Sequence, residues 1–272
     1  MVQRTGGPTA PARDALMTRW TPTSRLAAGV SAALVGLVLL PAPVAAVAAV
    51  PGDPSTVGAV AASDDTVFRP GRTAPFADRV PPRTRQVVRT VSSRVWCSHP
   101  WCTVTQVWRK TSAGEWRMVR RFRSSIAPNG FGKQHEGDMR SPSGVYRIRV
   151  TFSTKRHAPG PMPWRRRLPT SVVTNHPDRL YNTWIEERGR TDGDRLSMRN
   201  GFIVDYNNPR LRPGVGPRPV VGKGFGIFYH TLMPGHPWSP TEGCTKLGNP
   251  AAMRWLVSWL EPRAHPRVVQ GP

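Results

Sequence analysis

The stretch YRIRVTF (residues 146–152) alternates apolar and polar side chains along its whole length. Tyr, Ile, Val and Phe occupy one set of positions, and Arg, Arg and Thr occupy the positions between them. A period of two places the two sets on opposite faces of an extended chain. The stretch therefore predicts a half-buried β-strand whose four apolar residues share one face.

Several other stretches rich in β-branched and aromatic residues predict further strands. They are VTQVW, EWRMV, FIVDY and GIFYH, with RVVQ at 267–270 as a closing strand. Turn residues separate them: SAG at 112–114, NPR at 208–210 and the glycines of 214–226. This pattern predicts a mainly β domain, mostly antiparallel, with few helices.

One amphipathic helix is predicted near 250–261. Asn249 is a favourable N-cap, and Pro250 suits the first helical position. Pro262 ends the segment. Its apolar residues recur at helical spacing, at Met253, Leu256, Val257 and Leu260.

The first 83 residues predict two segments outside this domain. Residues 1–48 combine a basic start, an apolar run and the small-residue stretch Ala46-Val47-Ala48, which is typical of a cleaved secretory signal peptide. Retention as a membrane anchor is the alternative, since 26–50 is long enough to span a bilayer. Residues 49–83, rich in Pro, Ala and Gly, predict a flexible linker. The domain itself is expected over 84–272.

The net charge is strongly positive, at +23. Such a charge favours either nucleic acid or an anionic extracellular surface such as a cell wall. The export signal favours the anionic surface and argues against nucleic acid. The run GKGFG (222–226) precedes a predicted strand rather than a helix, which excludes a phosphate-binding loop.

The three cysteines divide into a pair and a single residue. Cys97 and Cys102 flank a short loop, and in an exported protein this spacing predicts a disulfide. Zinc is the alternative for this pair, although the additional ligands are lacking. Cys244 is left unpaired in the polar turn TEGCTKL. An odd cysteine in an oxidising compartment indicates a residue that reacts or waits for a partner, which makes Cys244 a candidate nucleophile.

His230 is the candidate base for Cys244. It ends a predicted strand, and an imidazole beside a thiol can take its proton and give a thiolate–imidazolium pair. Gly243 precedes the cysteine, and backbone N–H groups of a glycine turn can stabilise a developing oxyanion. A zinc site through His230, His236 and Cys244 is the alternative, without an evident fourth ligand.

Several stretches, taken in this order, resemble the catalytic domain of L,D-transpeptidases, the YkuD family. The resemblance covers about residues 86–271. The stretches that carry it are EGDMRSPSGVYRI (136–148), YNTW (181–184), DYN (205–207), GIFYH (226–230) and TEGCTKL (241–247).

This resemblance implies a β-sandwich in which Cys244 is the nucleophile, His230 the base, and the Gly243 and Cys244 N–H groups the oxyanion donors. It implies peptidoglycan stem peptides as substrate, with neither metal nor cofactor. Cys244 would form a thioester on the third stem residue, release D-Ala, and pass the acyl group to another stem in a 3→3 cross-link. The candidate substrate contacts are Thr241, Lys246, Tyr229 and His236.

Two other functions remain open. Water in place of the acceptor amine would make the protein an L,D-carboxypeptidase, and an inactive site would leave a wall-binding protein. Three positions depart from the family pattern: Glu242 replaces a histidine, Lys246 an arginine and Thr231 a glycine. An Arg-to-Lys change removes the planar guanidinium fork, so the contacts of Lys246 are expected to differ.

Overall fold

The computed structural model describes residues 74–189, 196–231, 235–236 and 238–272. The predicted signal peptide and residues 49–73 of the predicted linker lie outside these ranges. Within them, no helix is long and apolar enough to cross a bilayer. The strands are β1 (Gln86–Ser92), β2 (Cys102–Lys110), β3 (Trp116–Ser125), β4 (Gly144–Ser153), β5 (Trp164–Arg166), β6 (Ser171–Thr174), β7 (Thr183–Glu186), β8 (Asn200–Val204), β9 (Phe228–Thr231), β10 (Thr245–Leu247) and β11 (Arg267–Gly271).

A single sheet of nine strands closes on itself and forms the domain. Its order is β11-β1-β2-β3-β10-β9-β8-β4-β5, and β11 also pairs with β4. Most neighbours are antiparallel, whereas β1–β11, β9–β10 and β4–β5 are parallel. Strands β6 and β7 form a separate two-stranded sheet. The predicted mainly β, sandwich-like fold is confirmed.

Strand β4 forms as predicted, but its four apolar residues do not share one face. The pairing of β4 with β8 shifts register between Ile148 and Thr151, which rotates the second half of the strand. Ile148 packs in the main core cluster, whereas Val150 and Phe152 pack with Trp184 in a second cluster. The single-face prediction is therefore wrong, because a bulge interrupts the period of two.

The predicted helix is α1 (Pro250–Trp259), and its cap is the predicted one. The Asn249 side chain accepts a hydrogen bond from the Ala251 N–H at 2.7 Å. The buried face of α1 packs against residues of β8, β9 and β10, which ties the helix to the strands that carry the candidate site.

The ordered core begins earlier in the chain than predicted. Phe76 is fully buried, and its ring meets those of Trp108 and Trp116 edge-on, at centroid distances of 5.5 and 5.1 Å. Ala74 and Val80 join the same cluster. The linker prediction is thus wrong for 74–83, because a few apolar residues in a Pro- and Ala-rich stretch suffice to anchor it to the sheet.

Candidate active site

The parallel pairing of β9 and β10 brings the two predicted catalytic residues onto neighbouring strands. His230 lies in β9, and Cys244 immediately precedes β10. In the ladder, Tyr229 pairs with Thr245 and His230 with Lys246. Side chains alternate between faces along a strand, so His230 and Lys246 share one face while Tyr229 and Thr245 share the other.

The Cys244 thiol lies in a half-buried turn surrounded by backbone. Its Sγ lies 3.4 Å from the Phe228 N–H and donates to the Gly226 carbonyl at 3.5 Å. Burial, followed by the negative charge of Glu242, raises the pKa of Cys244 to about 11, against the lowering effects of the Phe228 N–H and Lys133. Cys244 is consequently a thiol, not a thiolate, near neutral pH.

The hydrogen bonds of His230 define its tautomer. Its Nδ1 lies 2.8 Å from the Thr231 carbonyl oxygen, which can only accept a hydrogen bond. Nδ1 therefore carries the proton in the neutral ring, and Nε2 is left with a lone pair. The group that orients the imidazole is thus a backbone carbonyl, which the sequence left unidentified.

The electrostatics keep this histidine neutral. Burial, followed by the positive charges of Lys246 and Arg167, lowers the pKa of His230 to about 4, although the Thr231 and Ser197 carbonyls act in the opposite direction. With a thiol pKa of about 11, the resting pair is neutral. These pKa values favour a neutral resting pair over the predicted thiolate–imidazolium pair.

Thr241 closes the nucleophile turn. Its hydroxyl donates to the Cys244 carbonyl at 2.6 Å and accepts from the Gly243 N–H at 3.2 Å. Gly243 has φ of 154°, and a Cβ there would lie 3.0 Å from Ile227 Cδ1. Glycine thus fits the turn, but its N–H is already donated to Thr241. Its predicted role as an oxyanion donor requires that this bond be exchanged for one to the substrate.

Tyr229 is buried in the core rather than exposed to a substrate. Its side chain has 0% exposure, its hydroxyl lies 2.7 Å from Thr90 Oγ1, and its ring stacks on Phe202. The expectation that Tyr229 contacts substrate is therefore wrong in this structure. The reason is the strand period: adjacent residues of β9 face opposite sides, and His230 occupies the outer one.

Lys246 is also buried, at 3% exposure, and its ammonium binds protein groups. Nζ lies 2.8 Å from Ser239 Oγ and 3.4 Å from the His236 carbonyl oxygen. The expectation of a direct substrate contact by Lys246 is corrected accordingly: the side chain holds the segment between base and nucleophile. His236 itself is exposed, so its contact with substrate stays a prediction.

A match to a family model accompanies this geometry. Residues 95–269 match the YkuD model, described as the L,D-transpeptidase catalytic domain. The chain belongs to the YkuD family. This membership confirms the resemblance seen in the sequence.

Comparison with solved structures adds a distant likeness. The chain resembles the helical cell shape determining protein Pgp2 from Campylobacter jejuni, with 18% identity and a TM-score of 0.36. The match covers 68% of this chain and 47% of that protein, so the chain spans about half of its length. No curated protein matches the chain.

A disulfide supports the segment between base and nucleophile of this YkuD domain. Cys97 and Cys102 are bonded, with Cα atoms 5.9 Å apart, which confirms the predicted pair. The Trp96 ring, next to this bond, lies 4.7 Å from that of Trp238, and Trp101 Nε1 donates to the Trp238 carbonyl at 3.1 Å. The disulfide loop and its neighbour Trp96 thus contact Trp238, which adjoins the Ser239 that Lys246 binds.

A buried ion pair behind the nucleophile was not anticipated from the sequence. Lys133 Nζ lies 2.8 Å from Asp138 Oδ1, and the two side chains are 4% and 7% exposed. Asp138 also accepts backbone N–H bonds from Gln134, His135 and Arg140. The position of Asp138 inside the family stretch EGDM was the available signal.

The stretches YNTW and DYN of the YkuD family position the loop that leads into β9. The Asn182 side chain accepts from the Gly226 N–H at 3.0 Å, and Asn207 donates to the Val220 and Gly224 carbonyls at 2.9 and 2.8 Å. Gly226 in turn accepts the thiol hydrogen bond of Cys244. These asparagines therefore position the site indirectly, through hydrogen bonds to the backbone of this loop. The sequence alone gave them no role.

Among the residues that the structure describes, no group of three His, Cys, Asp or Glu side chains is placed to hold a metal ion. The zinc alternative through His230, His236 and Cys244 therefore has no ligand set in this part of the chain. What the site does contain is a thiol, an imidazole whose Nδ1 is bound by the Thr231 carbonyl, and a glycine turn.

Proposed function

We propose that this domain is a peptidoglycan L,D-transpeptidase that forms 3→3 cross-links through a thioester on Cys244. The observation that carries the proposal is the tautomer of His230. Its Nδ1 is engaged by Thr231, so the lone pair of Nε2 can take a proton on the strand next to the nucleophile. The family supports peptidoglycan stem peptides as substrate.

The first half-reaction acylates the enzyme. Sγ of Cys244 attacks the carbonyl carbon of the third stem residue while the thiol proton moves to Nε2 of His230. Because the resting pair is neutral, proton transfer accompanies the attack rather than preceding it. The imidazolium then protonates the leaving nitrogen, the C–N bond breaks, and D-Ala departs.

The second half-reaction returns the thiol. The side-chain amine of a second stem attacks the thioester carbonyl, the C–S bond breaks, and the nitrogen proton returns through His230 to sulfur. The products are an amide cross-link and free Cys244. Attack by water instead gives a shortened stem with a free carboxylate, which is the carboxypeptidase alternative.

The acylation step is tested with a carbapenem and mass spectrometry. The drug mass is expected on one peptide that contains Cys244 and is expected to be absent in Cys244→Ala. His230→Ala should slow acylation by about 10²–10⁴-fold, the usual contribution of a positioned base. His236→Ala is the matched control and should change the rate little. Equal acylation rates in His230→Ala and the wild type would overturn the assignment of the base.

The transfer step is tested with a tetrapeptide stem as donor and a second stem that carries a free side-chain amine. Release of D-Ala with a cross-linked dimer supports the transpeptidase. Release of D-Ala with tripeptide alone, at every acceptor concentration, indicates the carboxypeptidase. An unreactive thiol with retained binding to cell walls indicates the inactive wall-binding protein.

We further propose that the domain is exported and attaches to anionic wall polymers through β3. Arg117, Arg121 and Arg123 are exposed on this strand. Exposed guanidinium groups bind phosphate-containing polymers through charge-assisted hydrogen bonds. Retention on an anionic wall polymer should weaken with added salt, and Arg121→Gln with Arg123→Gln should weaken it at low salt. Retention unchanged by both would contradict the attachment.

A further inference from the structure

Glu242 holds an exposed carboxylate next to the nucleophile. It lies between Thr241 and Gly243, and the Thr241 hydroxyl bonds both the Gly243 N–H and the Cys244 carbonyl. These two bonds close the turn around Glu242 and hold its backbone beside the thiol. The charge of Glu242 reaches Sγ, since it is one of the groups that raise the pKa of Cys244.

What distinguishes this carboxylate is its place beside Cys244 together with the lack of an ion pair to any described Lys or Arg. Within the described residues, Glu242 makes no ion pair with a Lys or Arg side chain, in a chain with 39 such residues and 16 acids. Five other acids do pair with a cation: Glu115, Asp138, Glu186, Asp205 and Glu261. An unpaired carboxylate in such a basic protein offers a specific position to a positively charged ligand.

The base side of the site has the opposite charge. Lys246 and Arg167 both act on His230 as positive charges. Both side chains are buried and cationic, so the base side offers no partner of opposite charge to an ammonium group. The negative side at Glu242 then suits the second substrate, whose reactive group is an amine that is protonated in water.

We propose that Glu242 binds the side-chain ammonium of the acceptor stem and so favours transfer over hydrolysis. This inference rests on the proposed transpeptidase function. The ammonium docks on the carboxylate, loses one proton to solvent, and the free amine attacks the thioester carbonyl. The C–N bond forms as the C–S bond breaks, and the second nitrogen proton passes through His230 to sulfur. Glu242 is unchanged at the end.

The test compares Glu242→Gln with the wild-type enzyme, using the tetrapeptide donor and increasing concentrations of the amine-bearing acceptor. The acceptor concentration that gives equal amounts of dimer and tripeptide should rise about 10-fold, as expected for loss of a charge-assisted hydrogen bond. Acylation by a carbapenem should not slow, because the acyl-enzyme forms before the acceptor binds. Glu242→Asp should restore most of the preference for transfer.

Two controls separate binding from general effects of charge. Glu115→Gln removes a carboxylate that pairs with Arg117 on an exposed turn, and it should leave the partition unchanged. Hydroxylamine, which is uncharged at neutral pH, should intercept the thioester equally well in Glu242→Gln and wild type. If Glu242→Gln slows the reaction of the thioester with hydroxylamine as much as that with the acceptor amine, the turn is distorted and the proposal is overturned.

The outcomes also distinguish this inference from the function on which it rests. A wild-type enzyme that releases D-Ala but never forms dimer overturns the transpeptidase proposal, and the acceptor site with it. A wild-type enzyme that forms dimer, together with a Glu242→Gln variant of identical partition, overturns the acceptor site alone.

Discussion

Lys246 is the ladder partner of His230 in the parallel pairing of β9 and β10, so the two side chains leave the sheet on the same face. The ammonium is buried and binds the segment that contains Ser239. Burial lowers the pKa of Lys246 to about 8. One buried side chain therefore both anchors the segment between base and nucleophile and places a positive charge beside the base.

Replacing Lys246 by Met should shift the acidic limb of the pH–rate profile for acylation to higher pH. The charge of Lys246 is, after burial, the next lowering effect on the pKa of His230, so its removal should raise that pKa above about 4. The measurement is the rate of carbapenem acylation against pH. Lys246→Arg keeps the charge and should leave the limb in place. A limb at the same pH in Lys246→Met would show that the base does not sense this charge.

The same substitution has a distinct effect on stability. The folded-state pKa of Lys246 is about 8 against an ordinary value of 10.5, so between these values the unfolded chain binds more protons than the folded one. The free energy of unfolding of the wild type should therefore rise with pH across this window, relative to that of Lys246→Met. Urea titrations at the two ends of the window measure the difference, and parallel curves would contradict it.

The wild-type acylation rate should be nearly independent of pH between the two pKa values of the pair. His230 is a competent base above about pH 4, and the thiol stays protonated up to about pH 11. A resting thiolate–imidazolium pair would behave differently, because the base would then titrate at or above its ordinary value of 6.5. Rates measured from about pH 5 to about pH 9 distinguish the two, provided the protein stays folded.

The regular elements could be predicted because their residues carry their own signal. Helix α1 has a cap, a proline at its start and apolar residues at helical spacing, and it lies where expected. Strand β10 has three residues, too few for any period to emerge, and β5 is equally short. The pairing of β9 with β10 is a contact between separate segments, so no local pattern specifies it.

The sequence singles out Cys244 and His230 as candidates, but it does not predict the surroundings in which the structure places them. A strand period applied to GIFYH would have placed Tyr229 opposite His230, and thus in the core. Lys246 binds the His236 carbonyl and the Ser239 hydroxyl, and no local pattern indicates these contacts. The bulge in β4 likewise arises from its pairing with β8 and not from its own alternation.

Phe76→Ala should destabilise the domain strongly, although the sequence places this residue in a linker. Phe76 is fully buried between two tryptophan rings. Loss of such a side chain costs about 3–5 kcal/mol, because it removes apolar burial and leaves a cavity. The free energy of unfolding in urea measures this. Val95→Ala, at a valine that is 84% exposed, is the control and should change stability little. A Phe76→Ala variant as stable as the control would show that residues 74–83 belong to the linker and not to the folded core.

Removing one partner of the buried ion pair between Lys133 and Asp138 should lower the free energy of unfolding strongly. Burial raises the pKa of Asp138, but the Lys133 ammonium and three backbone N–H groups outweigh it and hold the pKa well below its usual range. Stability from this carboxylate is therefore full above the unfolded value of about 3.8 and is lost as pH falls below it. Asp138→Asn keeps the shape but leaves the ammonium buried without its counter-charge.

We expect Asp138→Asn to lower the free energy of unfolding by about 3–5 kcal/mol, as is usual when one partner of a buried pair is removed. Lys133→Met combined with Asp138→Asn should recover part of this loss, since no charge then remains buried. Asp138→Asn should also lower the pKa of Cys244, because the positive charge of Lys133 stays close to the thiol without its counter-charge. Urea titration measures the first effect, and the pH dependence of thiol alkylation measures the second. If the double variant is less stable than Asp138→Asn, the buried Lys133 ammonium stabilises the fold without its counter-charge, and the charge-pair explanation is wrong.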